Sequence, residues 1–322
     1  MYFVKIHVIM KEKAEALMKQ IKLGGVLDVP ALAVGCMRIT SLDEKGAQAF
    51  VSAAMEEELN FFDHADIYGG GECETVFAKA VSALKIPRDK LFLQSKCGIV
   101  PGKMYDFSKE HILSSVDGIL KRLDTDYLDV LLLHRPDALM EPEEVAEAFD
   151  LLESQGKVRY FGVSNMRPDQ IRLLKKCVRQ KIVANQLQFS PMHAEMVSVG
   201  LEVNMVTDGA VDRDGGILNY CRLHDITVQP WSPFQYGFFE GVYLKNEKFP
   251  EFNKTVAQLC EKYGVEDTAI IVAWLCRHPA DMQTVSGTMN VGRLRALSRG
   301  ASVRLTREEW YRLYLAAGHI LP

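Results

Sequence analysis

The chain has 322 residues, 48% hydrophobic and 25% charged, with 38 Lys+Arg against 42 Asp+Glu and a formal net charge of −4. That composition suits a globular protein with a large core, and the charge balance argues against a general nucleic-acid or anionic-membrane surface. No apolar run approaches the roughly 20 residues that span a bilayer, so no membrane partner is expected.

At the N-terminus, the apolar stretch Val4 to Met10 is short and soon followed by Glu12 and Glu15, a poor secretory signal. The seven cysteines include no Cys-x-x-Cys pair, so neither a disulfide framework nor a zinc knuckle is indicated. Reduced, mostly buried thiols in a cytoplasmic protein are expected. Ile21 to Ile39 reads as extended segments broken by Gly24-Gly25 and Asp28-Val29-Pro30: a β-hairpin cap, then a first strand at Ala31 to Met37.

A repeating alternation follows. Helices are predicted over Asp43 to Glu58, Glu72 to Leu84, Ser108 to Leu123, Pro142 to Glu153 and Pro168 to Lys176, with Ser41 or Asp43 and Ser108 as caps and Pro at the first turn of the last. Strands are predicted over Asn60 to His64, Leu91 to Lys96, Tyr127 to Leu133, Val158 to Val163, Ile182 to Gln186 and Ile226 to Pro230. A last short one covers Gln283 to Val285. The strands are apolar throughout, as expected of a parallel sheet covered on both faces. About eight such units imply an α/β fold: a single (β/α)8 TIM barrel with an N-terminal β-hairpin cap.

No linker or composition shift divides the chain, so 1–322 is expected to be one domain with 1–20 as an N-terminal extension. Residues 192–213 and 235–252 read as long substrate-side loops without helical period, for which a binding role is favoured over an inert insertion.

Polar residues stand where the strands end. Asp63 ends Leu59 to Phe62 and is followed in the turn by Tyr68; Lys96 ends Leu91 to Ser95; His134 ends Leu128 to Leu133. Such groups are costly at the tip of a buried strand unless paired or used, and in a parallel barrel that end carries the chemistry. A lysine ammonium against a phenol favours phenolate and is expected to lower the phenol's pKa. Asp63 can hold Lys96, and a neutral histidine can orient a carbonyl. The set makes Tyr68 a usable general acid toward a developing alkoxide. Neither a Gly-x-Ser-x-Gly elbow nor an evident Cys–His pattern supplies a nucleophile. Something else must attack the carbonyl carbon, and a hydride from a cofactor is the natural candidate.

From about Gly35 to Leu297 the chain resembles the aldo-keto reductase family. The resemblance rests on Asn60-Phe61-Phe62-Asp63-His64-Ala65-Asp66-Ile67-Tyr68-Gly69, on Ser95-Lys96, on Asp126 to His134, and on Lys157-Val158-Arg159-Tyr160-Phe161-Gly162-Val163-Ser164-Asn165. It implies Asp63, Tyr68, Lys96 and His134 as catalytic residues and NADP(H) as cofactor, in preference to NAD(H). It also implies that Ser164, Asn165 and Gln186 bind the nicotinamide carboxamide. Trp231, in place of the family's common tyrosine, would stack on the nicotinamide, and Ser232 and Phe234 would begin the pyrophosphate loop. Gly287-Thr288-Met289-Asn290-Val291-Gly292-Arg293-Leu294 resembles the segment that reads the 2′-phosphate, through Thr288 and Arg293. Gly287 stands where many members have a basic residue. Leu297 replaces an adenine-contacting asparagine, and Ala296 a glutamate.

The implied activity is reversible reduction of a small-molecule aldehyde or ketone. A redox-sensing regulatory subunit like the potassium-channel β-subunits is the alternative, and a Schiff-base aldolase using Lys96 a third reading. His64 and Asp66 lie close to Asp63, but without a second histidine cluster no metal is expected. Cys36 and Cys97 read as packing thiols near the pocket. Gly69-Gly70-Gly71 reads as a flexible turn that lets Tyr68 point inward. Tyr236, Phe238, Phe239 and Tyr243 could wall a substrate pocket or simply pack their loop.

Overall fold

The hairpin comes first. In the computed structural model, which describes residues 18–321, strands β1 (Gln20–Leu23) and β2 (Leu27–Pro30) pair antiparallel. The Val4 to Met10 stretch lies outside the described residues. Gly24 and Gly25 turn the hairpin with φ of 58° and 72°. The Gly24 N–H donates to Thr227 Oγ1 at 2.9 Å, and a Cβ on Gly24 would stand 2.6 Å from Val183 Cβ. The turn is thus wedged against the starts of two barrel strands. Gly24→Ala combines overpacking with a left-handed backbone and is expected to cost about 2–3 kcal/mol. A lowered urea midpoint with an unchanged slope would report it; an unchanged midpoint would show that the turn can shift.

The barrel strands are β3 (Leu32–Gly35), β4 (Phe61–Asp63), β5 (Phe92–Cys97), β8 (Leu128–Leu133), β9 (Val158–Ser164), β10 (Ile182–Gln188), β11 (Thr227–Trp231) and β14 (Thr284–Ser286). Two ribbons intervene: β6 (Ile99–Val100) with β7 (Met104–Tyr105), and β12 (Gln235–Tyr236) with β13 (Gly241–Val242). The eight run parallel in the order β11-β10-β9-β8-β5-β4-β3-β14. The Gln283 N–H donates to the Val228 carbonyl at 3.1 Å and joins the two edges. Every residue of β8 is buried, as expected of a strand packed on both faces.

Helices α1 (Glu44–Glu56), α2 (Glu72–Ala83), α3 (Lys109–Leu123), α4 (Pro142–Ser154) and α5 (Pro168–Leu174) end within two residues of their predicted limits. Their caps explain this. Asp43 Oδ1 accepts from the Gly46 N–H at 2.7 Å and Ser108 Oγ from that of His111 at 3.3 Å, while Pro142 and Pro168 open their helices.

The structure corrects two expectations about loops. Residues 192–213 contain helix α6 (Glu195–Leu201) and a 3-10 turn at Asp208–Ala210. So short a helix depends on tertiary contacts; here Met196 and Val197 are buried and Ser198 Oγ lies 2.7 Å from the Tyr314 hydroxyl. Residues 235–252 contain the β12–β13 ribbon and the first turn of α8 (Pro250–Tyr263), with α7 (Ile217–Leu223) preceding them. The extension is also shorter than expected: Gln20 belongs to β1, and Lys19 Nζ donates to the Cys276 carbonyl at 3.1 Å. Helices α9 (Asp267–Arg277), α10 (Val291–Ser302) and α11 (Arg307–Ala316) complete the shell. Trp274 and Trp310 stack at 4.7 Å, and each indole N–H donates to the other's carbonyl at 3.1 Å.

Candidate active site

Backbone pairing continues past the strand ends and brings the polar groups together. The His64 and Asp66 N–H groups donate to the Gln94 and Lys96 carbonyls at 2.8 and 3.0 Å, and the His134 N–H to the Cys97 carbonyl at 2.9 Å. Tyr68 follows on a 3-10 turn whose next three residues, Gly69, Gly70 and Gly71, have φ of 58°, 65° and 94°. Three left-handed residues in a row let the chain reverse directly into α2.

Lys96 is the centre of the cluster. Its fully buried ammonium donates to Asp63 Oδ2 at 2.8 Å, to the His64 carbonyl at 2.7 Å and to Tyr68 Oη at 3.3 Å. All three N–H bonds of a charged lysine are used. Burial pulls its pKa down, but the charges of Asp63 and Tyr68 more than offset this and hold it above the ordinary lysine value. A protonated, enclosed amine cannot form a Schiff base, which argues against the aldolase reading.

The structure corrects the expected sign for Tyr68. Burial raises its pKa above the ordinary tyrosine value; Lys96 draws it down, but Asp63 and Cys36 push it further up. The phenol therefore keeps its proton at neutral pH. His134 meets the Tyr68 ring edge-on at 5.9 Å. Burial, then the charges of Lys96 and Arg135, hold its imidazole well below its ordinary pKa, and Nδ1 is buried without a hydrogen-bond partner.

Beneath the cluster lies a ladder of buried glutamines that the sequence reading missed. Gln94 Nε2 donates to Asp63 Oδ1 at 2.6 Å, Gln229 Nε2 to Gln94 Oε1 at 3.0 Å and to Gln283 Oε1 at 2.8 Å, and Gln283 Nε2 to the Pro30 carbonyl at 2.9 Å. Gln186 Nε2 also reaches Asp63 Oδ1, at 3.1 Å. The available signal was one glutamine within or just before each of several apolar strands, polar groups that a barrel interior must satisfy mutually.

His64 is fully buried, packs edge-on against Phe77 at 4.7 Å and has neither ring nitrogen hydrogen-bonded. Burial, and then Lys96, lower its pKa from 6.5 to about 3. Between those values the unfolded chain binds the extra proton, so stability contributed by the neutral ring is lost as pH falls below 6.5. Asp66, whose pKa is raised to about 6 chiefly by burial, acts in the opposite sense. We expect the stability of His64→Leu relative to the parent to rise as pH drops from 7 to 4.5, by up to about 1.4 kcal/mol per unit. A pH-independent difference in urea unfolding would refute this. Among the described residues no group of three or more His, Cys, Asp or Glu is arranged to hold a metal, and no helix is long and apolar enough to cross a membrane.

A cavity of about 1290 Å³ opens over the cluster, and all the expected site residues except Lys96 line it. Its near end holds Asp63, Tyr68, His134 and Gln186. Ser164 Oγ donates to the Gln186 carbonyl at 3.0 Å, Asn165 Nδ2 to Ser164 Oγ at 2.8 Å, and the Trp231 indole to Asn165 Oδ1 at 3.2 Å. Trp231 stacks with Phe239 at 5.9 Å. Of the loop aromatics, Phe239 lines this cavity, whereas Tyr243 is buried and donates to the Pro233 carbonyl at 2.5 Å. Ser232, Phe234, Gly287, Thr288 and Arg293 also line its wall.

An elongated polyanion fits this donor set. A Cβ at Gly287 would meet nothing within 4 Å, and Gln235 Oε1, buried on the wall without a partner, is an acceptor open to a ligand hydroxyl or amide N–H. Of the acids on the wall, Asp267 is paired with Lys245 at 3.0 Å and Glu266 with Arg299. Arg38 and Arg293 pair with no carboxylate among the described residues. Arg38 Nη1 donates to the Gly287 carbonyl at 3.4 Å, so a cation from the β3 turn stands beside the position where sequence reading noted a missing basic residue.

An eight-stranded parallel barrel with a charged centre at the carboxyl ends of its strands, opening into one long cavity, defines the class as a barrel enzyme with a cofactor-sized cleft. A family model described as the Aldo/keto reductase family matches residues 31–314, and the chain belongs to that family. It is an oxidoreductase of that family, whose members use a nicotinamide cofactor. The chain is 34% identical to the oxidoreductase YcsN of Bacillus subtilis (strain 168), over 95% of this chain and 100% of that protein. It is 32% identical to a 6-dehydroglucose reductase of Agrobacterium fabrum (strain C58), over 93% and 98% respectively. An aldo-keto reductase from Klebsiella pneumoniae solved in complex with NADPH superposes with a TM-score of 0.72 at 23% identity, covering 92% of this chain and 94% of that one, and shows the same fold.

Proposed function

We propose that this protein is an NADP(H)-dependent reductase of a small aldehyde or ketone, with Tyr68 as the general acid. The observation that carries this reading is the Lys96 ammonium, shared between Asp63 and the Tyr68 hydroxyl at the end of a cofactor-sized cavity. When bound, the reduced nicotinamide supplies a hydride to the carbonyl carbon. Tyr68 Oη, protonated at neutral pH, gives its proton to the carbonyl oxygen as charge develops there. Lys96 stabilises the phenolate left behind, and Asp63, anchored by Gln94 and Gln186, keeps Lys96 in place. The neutral His134 orients the carbonyl oxygen without competing for the proton.

Ser164, Asn165 and Gln186 would hold the nicotinamide carboxamide and Trp231 would face its ring. Ser232 and Phe234 would flank the pyrophosphate, with Gly287, Thr288 and Arg293 at the 2′-phosphate. Arg38 adds a cation near Gly287. We expect Arg293→Ala to raise the Kd for NADPH about tenfold while changing that for NADH less than threefold. Equal changes for both nucleotides, by fluorescence titration, would remove Arg293 from the phosphate. All seven cysteines are free thiols, which supports a reducing, cytoplasmic setting.

The test is a titration with NADPH and NADH followed by a carbonyl screen. The Agrobacterium relative's name places a sugar aldehyde in the first panel. Multiple turnovers with any carbonyl support a reductase. Tight NADPH binding with only a single slow turnover would instead support the redox-sensing regulatory reading, and absence of nucleotide binding would defeat both.

A further inference from the structure

Arg135 follows His134 directly and is partly buried. Its guanidinium lies 5.8 Å from the Trp231 ring centroid, and among the described residues it makes no hydrogen bond or ion pair. It lines the main cavity and also a second one, of about 830 Å³, that meets the first at Arg135, Asn165 and Trp231. This second cavity lies beneath the segment after β10. It is also lined by carboxylates: Glu195, 3.5 Å from His193 Nδ1, has Oε2 buried with no hydrogen-bond partner, and Glu202 accepts from Thr207 Oγ1 at 2.5 Å. Asp214 caps the Gly216 and Ile217 N–H groups at 2.9 and 3.2 Å, and Asp208 is exposed at the rim. Arg213 is spent on the Asp208 and Val211 carbonyls. Of the three residues that the two cavities share, Arg135, Asn165 and Trp231, only Arg135 is charged, so the junction itself is positive.

A planar guanidinium with free donors, half withdrawn from water, matches the oxygens of a carboxylate or phosphate. Arg135 follows His134 in the chain and lines the same cavity as Tyr68 and His134, so an anionic group held there would share that cavity with the reacting carbonyl. We infer that the second cavity is the substrate's distal subsite and that Arg135 selects carbonyl compounds bearing an anionic group. This rests on the reductase reading above. It gives Arg135 a specificity role separate from the proton chemistry.

The experiment compares matched substrates with NADPH in the parent and in Arg135→Met and Arg135→Lys. Succinic semialdehyde is set against butanal, and glyceraldehyde 3-phosphate against glyceraldehyde. The parent should prefer at least one anionic member over its neutral partner, and which pair shows the preference tells carboxylate from phosphate. In Arg135→Met the anionic-to-neutral ratio of kcat/KM should fall about 50-fold, mainly through KM, with partial recovery in Arg135→Lys. Because each variant is judged by the ratio, a general loss through His134, whose pKa Arg135 helps to lower, does not count as support.

Three results would overturn the proposal: no anionic preference in the parent, a ratio that Arg135→Met does not move, or a loss confined to NADPH affinity. In the first two the neutral aldehydes are still reduced, so the reductase reading survives. If no carbonyl is turned over, that reading falls, and binding of succinate and inorganic phosphate by calorimetry decides the subsite. Binding that Arg135→Met abolishes supports it, and no binding to the parent refutes it.

Discussion

Tyr68→Phe should lower kcat for every carbonyl substrate by about a thousandfold while leaving the Kd for NADPH within about threefold. The substitution removes one oxygen, and that oxygen accepts from Lys96 at 3.3 Å and faces the cavity beside His134. The ring and its edge-on contact with His134 are kept, so the cavity wall should not move. The loss should fall on kcat, because the proton is needed only as charge develops on the carbonyl oxygen. Stopped-flow oxidation of bound NADPH would place the loss in the chemical step. Turnover within tenfold of the parent would remove Tyr68 from the role of acid. Since burial holds the phenol's pKa above its ordinary value, the parent's reduction rate should not decline through loss of this proton anywhere below about pH 9.

The second large effect is expected on stability as well as rate. Lys96→Met leaves Asp63, itself buried, without its cation, although Gln94 and Gln186 still donate to Oδ1. Breaking one side of a buried pair costs about 3–5 kcal/mol. The double variant Asp63→Asn with Lys96→Met removes both charges and should regain about half of that loss. The sign with pH follows from Lys96. Its folded pKa lies above the ordinary 10.5, so the pair's contribution is complete below 10.5 and is lost only as pH rises through the folded value. The stability gap between parent and Lys96→Met should therefore be flat from pH 6 to pH 9 in urea unfolding. A gap below 1 kcal/mol, or one that closes as pH approaches 9, would show that Lys96 is not held charged in the folded state. Tyr68→Phe and Lys96→Met should both be nearly inactive, but for different reasons: of these two, only Lys96→Met should unfold at lower urea.

Much of the barrel could be read from neighbouring residues. Asp43, Ser108, Pro142 and Pro168 mark helix starts because each satisfies or avoids an unpaired N–H at its own turn. The apolar strands with a polar terminal residue announced both the parallel sheet and the end at which a site would form. Asp63, Tyr68, Lys96 and His134 were legible for that reason, and the family resemblance added the residues that now line the cavity. Helix α6 was not legible, since Glu195 to Leu201 is too short to carry a periodicity and is held by Tyr314, far along the chain. The ribbon at Gln235–Tyr236 and Gly241–Val242 escaped for the same reason.

What the sequence by itself determined is therefore local: the order of strands and helices, the turns that end them, and the chemical types standing at each strand's carboxyl end. These depend on steric and hydrogen-bonding rules that act within a few residues. Barrel closure decided the rest. It joins Gln94 to Gln229, 135 positions away, and so completes the ladder that anchors Asp63. It partly buries Tyr68 in the cavity wall, enough that desolvation outweighs the pull of Lys96, reversing the sign expected from a pairwise argument. It also brings Arg38 to Gly287 and leaves Arg135 uncommitted between two cavities. Burial and long-range charge are sums over everything packed around a group, and only the folded chain specifies that surrounding.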